Sequence, residues 1–178
     1  MPLIILDRDG VINHDSDAYI KTPDEWEIIE GSAEAIARLS AYGYHIAVAT
    51  NQSGLGRGLF DLHTLELIHS KMRDTIESAG GVINMIAFCP HTPSDHCHCR
   101  KPHIGLLQAI NHEIPINPDT DWMVGDTVKD LLAAQRMGIR AALVETGKGT
   151  RTLSDGAVSR ETTPVFADLR AFVSWLID

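Results

Sequence analysis

The first ten residues restrict the fold more than any other part of the chain. Four consecutive apolar residues at 3–6 include two β-branched side chains, a run typical of a strand buried on both faces of a sheet. Asp7 and Asp9 follow at once, and Gly10 comes after them. This pattern occurs in polar turns, but it also places two carboxylates at the carboxyl end of a strand, where doubly wound sheets bind ligands. Because adjacent carboxylates repel each other, the pattern favours a cation site, an acid–base role, or both.

The remainder of the chain alternates between predicted strands and helices. Residues 11–30 carry several turn signals, and we interpret them as a flap or hairpin beside the first strand. We predict strands at 45–49, 82–88, 122–124 and 141–144, and helices, the first capped by Ser32, at 32–42, 61–79, 104–113, 128–137 and 169–176. Residues 145–164 are predicted to form an exposed loop. The alternation predicts an α/β fold, a doubly wound and mainly parallel sheet flanked by helices, in a single domain spanning 1–178.

The charge balance excludes several classes of partner. The chain has 15 Lys and Arg against 24 Asp and Glu, a formal net charge of −9, which disfavours nucleic acid and anionic membranes. It has neither an apolar run near the ~20 residues of a membrane span nor the basic and then apolar pattern of a secretory signal. We therefore expect a cytoplasmic monomer without nucleic-acid or membrane partners. An anionic small substrate would need a local group of basic residues.

Polar residues also follow the later strands. Thr50 ends the second predicted strand, Asp126 follows the fourth, and Lys101 lies behind the loop after the third. Separately, they would be explained by a capped turn, a helix N-terminus and a solvated surface charge. Because the carboxyl ends of parallel strands share one edge of the sheet, we expect them to meet Asp7 and Asp9 there. Together they supply acids for a hard cation, a hydroxyl and a fixed positive charge, a set suited to phosphoryl transfer.

These residues resemble, in order, the four motifs of the haloacid dehalogenase (HAD) superfamily of phosphatases. The matching motifs are Asp7-Arg8-Asp9-Gly10-Val11, Thr50, Lys101, and Gly125-Asp126 with Asp130. The resemblance implies that Asp7 is the nucleophile that forms an aspartyl-phosphate. It implies that Asp9 first protonates the leaving oxygen and then activates water.

The resemblance also implies a catalytic magnesium ion. Asp7, the backbone carbonyl of Asp9 and Asp126 would hold Mg²⁺, an ion that is bound by few protein ligands and keeps several waters. Thr50 and Lys101 would hold the phosphoryl oxygens. The intervals between the motifs are too short for the large cap domain of many superfamily members, so we expect a rather open site.

All three cysteines lie in one short loop, which favours a metal site over disulfides. The loop contains a complete tetrahedral zinc set in the pattern C-x-H-x₅-C-x-C, namely Cys89, His91, Cys97 and Cys99. A closed set of four ligands indicates a structural Zn²⁺ ion. Cysteines buried as small apolar residues are the alternative, but this loop is rich in Pro and His and has little else to bury. His96 and His98 remain alternative ligands.

The zinc pattern followed by Cys-Arg-Lys-Pro at 99–102 resembles one branch of the superfamily, which acts on heptose bisphosphate or on histidinol phosphate. The resemblance implies a small sugar phosphate substrate and removal of the 7-phosphate of a heptose 1,7-bisphosphate, a step towards lipopolysaccharide precursors. Histidinol phosphate is the alternative substrate. A phospho-accepting signalling domain is the alternative class, but the acid–base pair and zinc loop argue against it. The substrate-binding residues implied are Ala18, Tyr19, Ile20, Lys21, Asn51, Gln52, Ser53 and Arg100.

Overall fold

The structure, a computed structural model, describes residues 1–178. Its six strands are β1 (Leu3–Leu6), β2 (His45–Asn51), β3 (Met85–Cys89), β4 (Trp122–Gly125), β5 (Arg140–Val144) and β6 (Val165–Phe166). They form one sheet in the order β3-β2-β1-β4-β5-β6, and every neighbouring pair is parallel. The predicted doubly wound parallel sheet is confirmed. The chain order reverses between β2 and β4, so β1 ends at the switch point where such sheets bind ligands.

Six α-helices lie between the strands, and a seventh follows the last strand. They are α1 (Ser32–Ala41), α2 (Ser53–Gly56), α3 (Leu62–Ser78), α4 (Gly105–Glu113), α5 (Val128–Met137), α6 (Gly149–Ser154) and α7 (Leu169–Ile177). Helices α1, α3 and α7 contribute to the apolar cluster on one face of the sheet, whereas α4 and α5 contribute to the cluster on the other. None of the helices combines the length and the apolar character that crossing a membrane would require.

The apolar run of β1 is buried on both faces, as predicted. Ile4 and Leu6 belong to the cluster beneath α1, α3 and α7, whereas Leu3 and Ile5 belong to the cluster beneath α4 and α5. All four side chains are fully buried, and each such burial stabilises the fold by about 1.5–3 kcal/mol. This central strand therefore holds the two acids that follow it at a rigid position.

The flap between β1 and α1 packs against the end of the sheet. It contains a short 3₁₀ turn, Pro23–Glu25, and Asn13 bridges to Ile28 within it. Several of its apolar side chains are buried, including Val11, Ile12, Ile20, Trp26 and Ile29. The interval between β2 and β3 holds only α2, α3 and short turns. Neither interval contains a cap domain, as predicted.

Most of the predicted helices and strands differ from the observed ones by one to three residues at one or both ends, and side-chain hydrogen bonds explain two of the differences. β3 begins at Met85 rather than at residue 82, because the Asn84 side chain accepts the Ile46 N–H at 2.8 Å and replaces a regular strand pairing there. Ser32 is the first residue of α1 rather than its cap. Its hydroxyl instead donates to the Val11 carbonyl at 3.0 Å and ties the helix to the flap.

The prediction of an exposed loop at 145–164 is wrong in part. This segment contains α6, and the chain then adds β6 to the edge of the sheet. Thr152 is buried, and its hydroxyl donates to the Asp126 carbonyl at 2.8 Å. The segment is held by such polar contacts rather than by an apolar stripe, which explains why hydrophobic periodicity does not reveal it.

Candidate active site

Most of the predicted residues surround one cleft of about 270 Å³ at the carboxyl edge of the sheet. The sequence-predicted residues that line it are Asp7, Asp9, Tyr19, Ile20, Asn51, Gln52, Ser53, Arg100, Lys101 and Asp126. Ala18 and Lys21 lie on the flap outside this lining, and the Lys21 ammonium donates to the Ala18 carbonyl. Thr50 is buried and does not line the cleft. The flap forms one side of the opening, as expected.

A buried ammonium lies beside Asp7. The Lys101 Nζ is 2.9 Å from Asp7 Oδ1, and it donates to Asp130 Oδ1 and to the Ala49 carbonyl, both at 2.6 Å. Burial disfavours the charged ammonium, but the carboxylates of Asp130 and Asp7 outweigh this effect and raise the pKa of Lys101 above its ordinary value. Lys101 is therefore a fixed positive charge next to Asp7.

Two predicted substrate residues hold other site residues in place. Asn51 clamps the backbone of Lys101, because its Oδ1 accepts the Lys101 N–H at 2.9 Å and its Nδ2 donates to the Lys101 carbonyl at 3.1 Å. The Gln52 amide donates to Asp9 Oδ2 and to Thr50 Oγ1, both at 2.9 Å. Both side chains thus act on the geometry of the candidate catalytic groups. Direct binding of substrate by these amides stays a prediction.

Asp9 is surrounded by hydrogen-bond donors. Two nitrogens of the Arg8 guanidinium donate to Asp9 Oδ1, Nη2 at 2.8 Å and Nε at 3.0 Å, and Nη2 also reaches Oδ2 at 3.2 Å. The Asn13 amide donates to Oδ1 at 2.9 Å. Burial would raise the pKa of Asp9, but the Arg8 charge and the bonds from Asn13 and Gln52 outweigh it and lower that pKa. Asp9 is therefore ionised in this arrangement, the form that a general base requires.

Three carboxylates converge at the site of the expected cation. Oxygens of Asp7, Asp126 and Asp130 lie within 4.8 Å of one another. Asp130 uses Oδ1 for Lys101 and Oδ2 for the backbone and hydroxyl of Thr127, at 3.1 and 3.0 Å. Asp7 and Asp126 each have one oxygen bound by the protein, at Oδ1 and Oδ2 respectively, and the second oxygen free. This donor set fits Mg²⁺, with Asp130 as a support for Lys101.

Two glycines keep space around Asp126. Gly10 has a φ of +87°, and a Cβ atom on it would lie 2.1 Å from Asp126 Oδ2. A Cβ atom on Gly147 would lie 2.3 Å from the same oxygen. Only glycine fits at both positions, so the backbone closely surrounds this carboxylate.

The free carboxylates carry raised pKa values in the metal-free protein. Burial and the negative charge of Asp130 raise the pKa of Asp7 to about 7, against the opposing charge of Lys101. Burial and the charges of Asp7 and Asp130 raise the pKa of Asp126 to about 8. Both shifts are those expected of carboxylates gathered to hold a cation.

These raised pKa values predict how Mg²⁺ stabilises the protein at different pH values. Between the ordinary value of 3.8 and about 7 to 8, the folded protein binds more protons at Asp7 and Asp126 than the unfolded chain does, so metal-free stability falls as pH rises. A cation replaces those protons. We expect MgCl₂ to raise the melting temperature more at about pH 8 than at about pH 6. An equal shift at both pH values, measured by scanning calorimetry, would contradict this site.

The cysteine loop gathers its four predicted zinc ligands. The Cys89 Sγ lies 3.6 Å from both His91 Nδ1 and Cys97 Sγ, and the Cys99 Sγ lies 3.2 Å from His91 Nδ1. These separations approach the roughly 3.6–3.8 Å between ligand atoms of a tetrahedral site with ordinary Zn–S and Zn–N bonds. The donor set therefore fits Zn²⁺. The alternative ligands His96 and His98 are exposed and lie outside this group.

Sequence reasoning missed part of a basic wall of the cleft. Arg57, Lys129 and Lys148 line it together with Arg100. The Lys148 ammonium pairs with Asp15 at 3.0 Å, and the Arg100 Nη1 is buried without a hydrogen-bond partner in the protein. Lys129 lies in the first turn of α5, directly after β4. Its place in the sequence beside a strand end could have indicated that it lines the cleft. Five Lys and Arg side chains thus line the cleft, beside six Asp side chains.

Comparison with known proteins gives the family. A family model described as HAD-hydrolase-like matches residues 98–172. The D-glycero-β-D-manno-heptose-1,7-bisphosphate 7-phosphatase of Pseudomonas putida is 51% identical over 177 residues, 99% of this chain and 100% of the relative. The chain belongs to this phosphatase family. The family member from Pseudomonas aeruginosa is 50% identical, over 98% of this chain and 97% of its own.

Solved structures of the heptose bisphosphate phosphatase family share the whole fold. The D,D-heptose 1,7-bisphosphate phosphatase from Bordetella bronchiseptica, crystallised with magnesium and phosphate, superimposes with a TM-score of 0.95. It is 47% identical and covers 99% of this chain and 98% of its own. The Burkholderia thailandensis enzyme has a TM-score of 0.78 and 41% identity, with complete coverage of both chains. The predicted HAD-like fold and phosphatase activity are confirmed, and the signalling-domain alternative is set aside.

Proposed function

We propose that this chain is a magnesium-dependent phosphatase that removes the 7-phosphate of D-glycero-β-D-manno-heptose 1,7-bisphosphate. One observation carries the proposal. A carboxylate with a free oxygen, Asp7, faces a cleft that has a fixed cation at its base, Lys101, and a separate group of cations on its wall. The cation at the bottom of the cleft suits the phosphoryl group that is transferred. The wall suits a second phosphate on the same substrate. The named relatives act on a heptose bisphosphate and thus support this reading.

In the first step, a carboxylate oxygen of Asp7 attacks the phosphorus of the 7-phosphate, in line with the bond to the sugar oxygen. Asp9, which is ionised in the free protein, takes up a proton from solvent as the anionic substrate enters the cleft. The bond to the sugar oxygen breaks as a bond from phosphorus to Asp7 forms, and Asp9 gives that proton to the departing sugar oxygen. Lys101 keeps Asp7 in position and places a positive charge beside the phosphoryl oxygens. Thr50 is buried behind the cleft, where its hydroxyl accepts a hydrogen bond from Gln52, so direct contact of Thr50 with a phosphoryl oxygen stays a prediction. Asp130 keeps Lys101 charged through the 2.6 Å bond between them.

In the second step, Asp9 takes a proton from a water molecule, whose oxygen attacks the phosphorus of the aspartyl-phosphate. The bond between phosphorus and Asp7 breaks and inorganic phosphate leaves. Asp7 is again a carboxylate, and Asp9 holds the proton for the next turnover. The ion pair with the Arg8 guanidinium stabilises the ionised Asp9 that this step needs.

Asp7, the Asp9 backbone carbonyl and Asp126 would hold Mg²⁺. The ion would supply positive charge against the phosphoryl oxygens. Zn²⁺ would be held by Cys89, His91, Cys97 and Cys99 as a structural ion. Its role would be to fix the loop immediately before Arg100 and Lys101.

Arg100 is proposed to bind the phosphate that stays on the sugar. Its guanidinium lines the cleft, and its buried Nη1 has no partner in the protein, so a ligand oxygen would complete its hydrogen bonds. A guanidinium suits this role because it can bind two phosphate oxygens at once.

Arg100→Ala tests this role. Losing one charge-assisted contact costs about 1.5–3 kcal/mol, so we expect kcat/KM for the heptose bisphosphate to fall roughly tenfold to a hundredfold. Hydrolysis of p-nitrophenyl phosphate, which has no second phosphate, should change much less. Arg170→Ala is the matched control, because that arginine is exposed on α7 away from the cleft. Equal losses on both substrates would assign Arg100 to the transferred phosphoryl group or to the loop fold.

A direct substrate comparison tests the proposed function itself. The steady-state kcat/KM should be higher for the β-heptose bisphosphate than for histidinol phosphate. The reason is that only the bisphosphate can place one phosphate at the bottom of the cleft, beside Lys101, and a second one against its basic wall. A preference for histidinol phosphate would overturn the assignment of the substrate.

A further inference from the structure

Arg8 is a buried arginine whose whole guanidinium is bound inside the protein. Its side chain is fully buried, and Nε and Nη2 bind the carboxylate of Asp9. The remaining nitrogen, Nη1, lies 3.1 Å from Nε2 of His69. Because a buried donor without a partner is costly, His69 completes the hydrogen bonds of this guanidinium.

His69 occupies an unusual place on α3. It lies on the buried face of the helix, among apolar residues at helical spacing, Leu65, Ile68, Met72 and Ile76. Burial and the positive charge of Arg8 lower the pKa of His69 to about 3. The ring is therefore neutral, and its Nε2 can accept the proton of Arg8 Nη1. A histidine at this apolar position is explained by the contact with Arg8.

The three residues form a continuous chain from α3 to the active site. Asp9 and Arg8 are adjacent, but His69 lies 61 residues further along, and it is the contact that ties the guanidinium to a second element. Asn13 and Gln52 hold the same carboxylate from the flap and from the turn after β2. The guanidinium sets the direction of both oxygens of Asp9, because Nε and Nη2 both donate to Oδ1 and Nη2 also reaches Oδ2 at 3.2 Å.

We propose that His69 is a positioning residue for this phosphatase and that it acts through Arg8 to fix the orientation of Asp9. The inference rests on the proposed function, in which Asp9 must face first the leaving oxygen and then the attacking water. A carboxylate that turns out of line would slow proton transfer without changing the contacts that bind the substrate.

The test compares His69→Leu with His69→Gln. Leucine fills the space but accepts no hydrogen bond, whereas the glutamine amide oxygen can take the place of Nε2. p-Nitrophenolate departs from phosphorus without a proton from Asp9. With p-nitrophenyl phosphate, His69→Leu should therefore slow only the second step, the attack of water on the aspartyl-phosphate. We expect His69→Leu to release about one p-nitrophenol per enzyme in a burst and then to turn over roughly tenfold slower than wild type. His69→Gln should stay within about threefold of wild type.

A matched control separates positioning from loss of stability. Ile76→Ala removes apolar contacts two turns along the same face of α3 and should lower the melting temperature while leaving the turnover after the burst near that of wild type. The inference would be overturned if His69→Leu kept wild-type turnover, or if it lost activity without accumulating phosphoenzyme.

A second readout needs no substrate. A crystal structure of His69→Leu should show the Arg8 guanidinium displaced and the Asp9 carboxylate rotated, and an unchanged Asp9 would also overturn the inference. Failure of the proposed function would be seen separately, as wild-type protein that does not hydrolyse the heptose bisphosphate.

Discussion

Asp7→Asn is expected to abolish phosphate release while leaving the protein folded. The amide cannot attack phosphorus, so no aspartyl-phosphate forms, and the loss should reach ~10⁴-fold or more in kcat. The metal-free variant should be at least as stable as wild type, because the substitution removes a carboxylate whose pKa burial and Asp130 raise to about 7. Phosphate release and scanning calorimetry measure the two effects.

The control for Asp7→Asn is Asp24→Asn, since Asp24 is an exposed residue of the flap. It makes the same chemical change outside the cleft and should keep wild-type turnover. Wild-type protein that is quenched in acid during turnover should carry phosphate on the peptide containing Asp7, and the asparagine variant should carry none. If Asp7→Asn retained wild-type activity, the nucleophile would have been assigned wrongly.

Loss of the proposed zinc ion should have the second large effect. The middle of the cysteine loop, 93–96, is exposed, so the loop has little apolar surface to bury and depends on its metal. Structural zinc in small peptides supplies about 10–16 kcal/mol, so Cys97→Ser should lower the melting temperature clearly. Activity should fall with it, because Arg100 and Lys101 directly follow the last ligand.

Elemental analysis tests the zinc site without an activity assay. Wild-type protein purified without chelator should contain about one zinc ion per chain, and Cys97→Ser should contain much less. His98→Ala is the matched control, because His98 is in the same loop, exposed and outside the ligand group. It should keep both zinc and activity. Wild-type protein with no zinc would count decisively against the site.

Sequence patterns predicted the parts of this molecule that depend on local chemistry. The apolar run of β1 and the acids after it sufficed to place Asp7 and Asp9 at the carboxyl edge of the sheet, because an uninterrupted apolar run is typical of a strand buried on both faces. The spacing of the cysteines and His91 likewise predicted the ligand group, since one short loop carries all of its members.

Contacts between distant segments could not be predicted in the same way. His69 appears in the sequence as one polar residue on an apolar helix face, and its contact with Arg8 depends on how α3 packs. Asn51 was predicted to bind substrate, but it clamps the Lys101 backbone across 50 residues. Helix α6 has no apolar stripe, so no periodic signal marks it.

The position of the phosphate that is removed tests the central claim most directly. Wild-type protein with Mg²⁺ should be incubated with D-glycero-β-D-manno-heptose 1,7-bisphosphate and followed by ³¹P NMR. The resonance of the 7-phosphate should disappear, inorganic phosphate should grow equally, and the 1-phosphate resonance should persist. Persistence of the 7-phosphate, or release of the 1-phosphate instead, would contradict the proposed placement of the substrate between Asp7 and the basic wall.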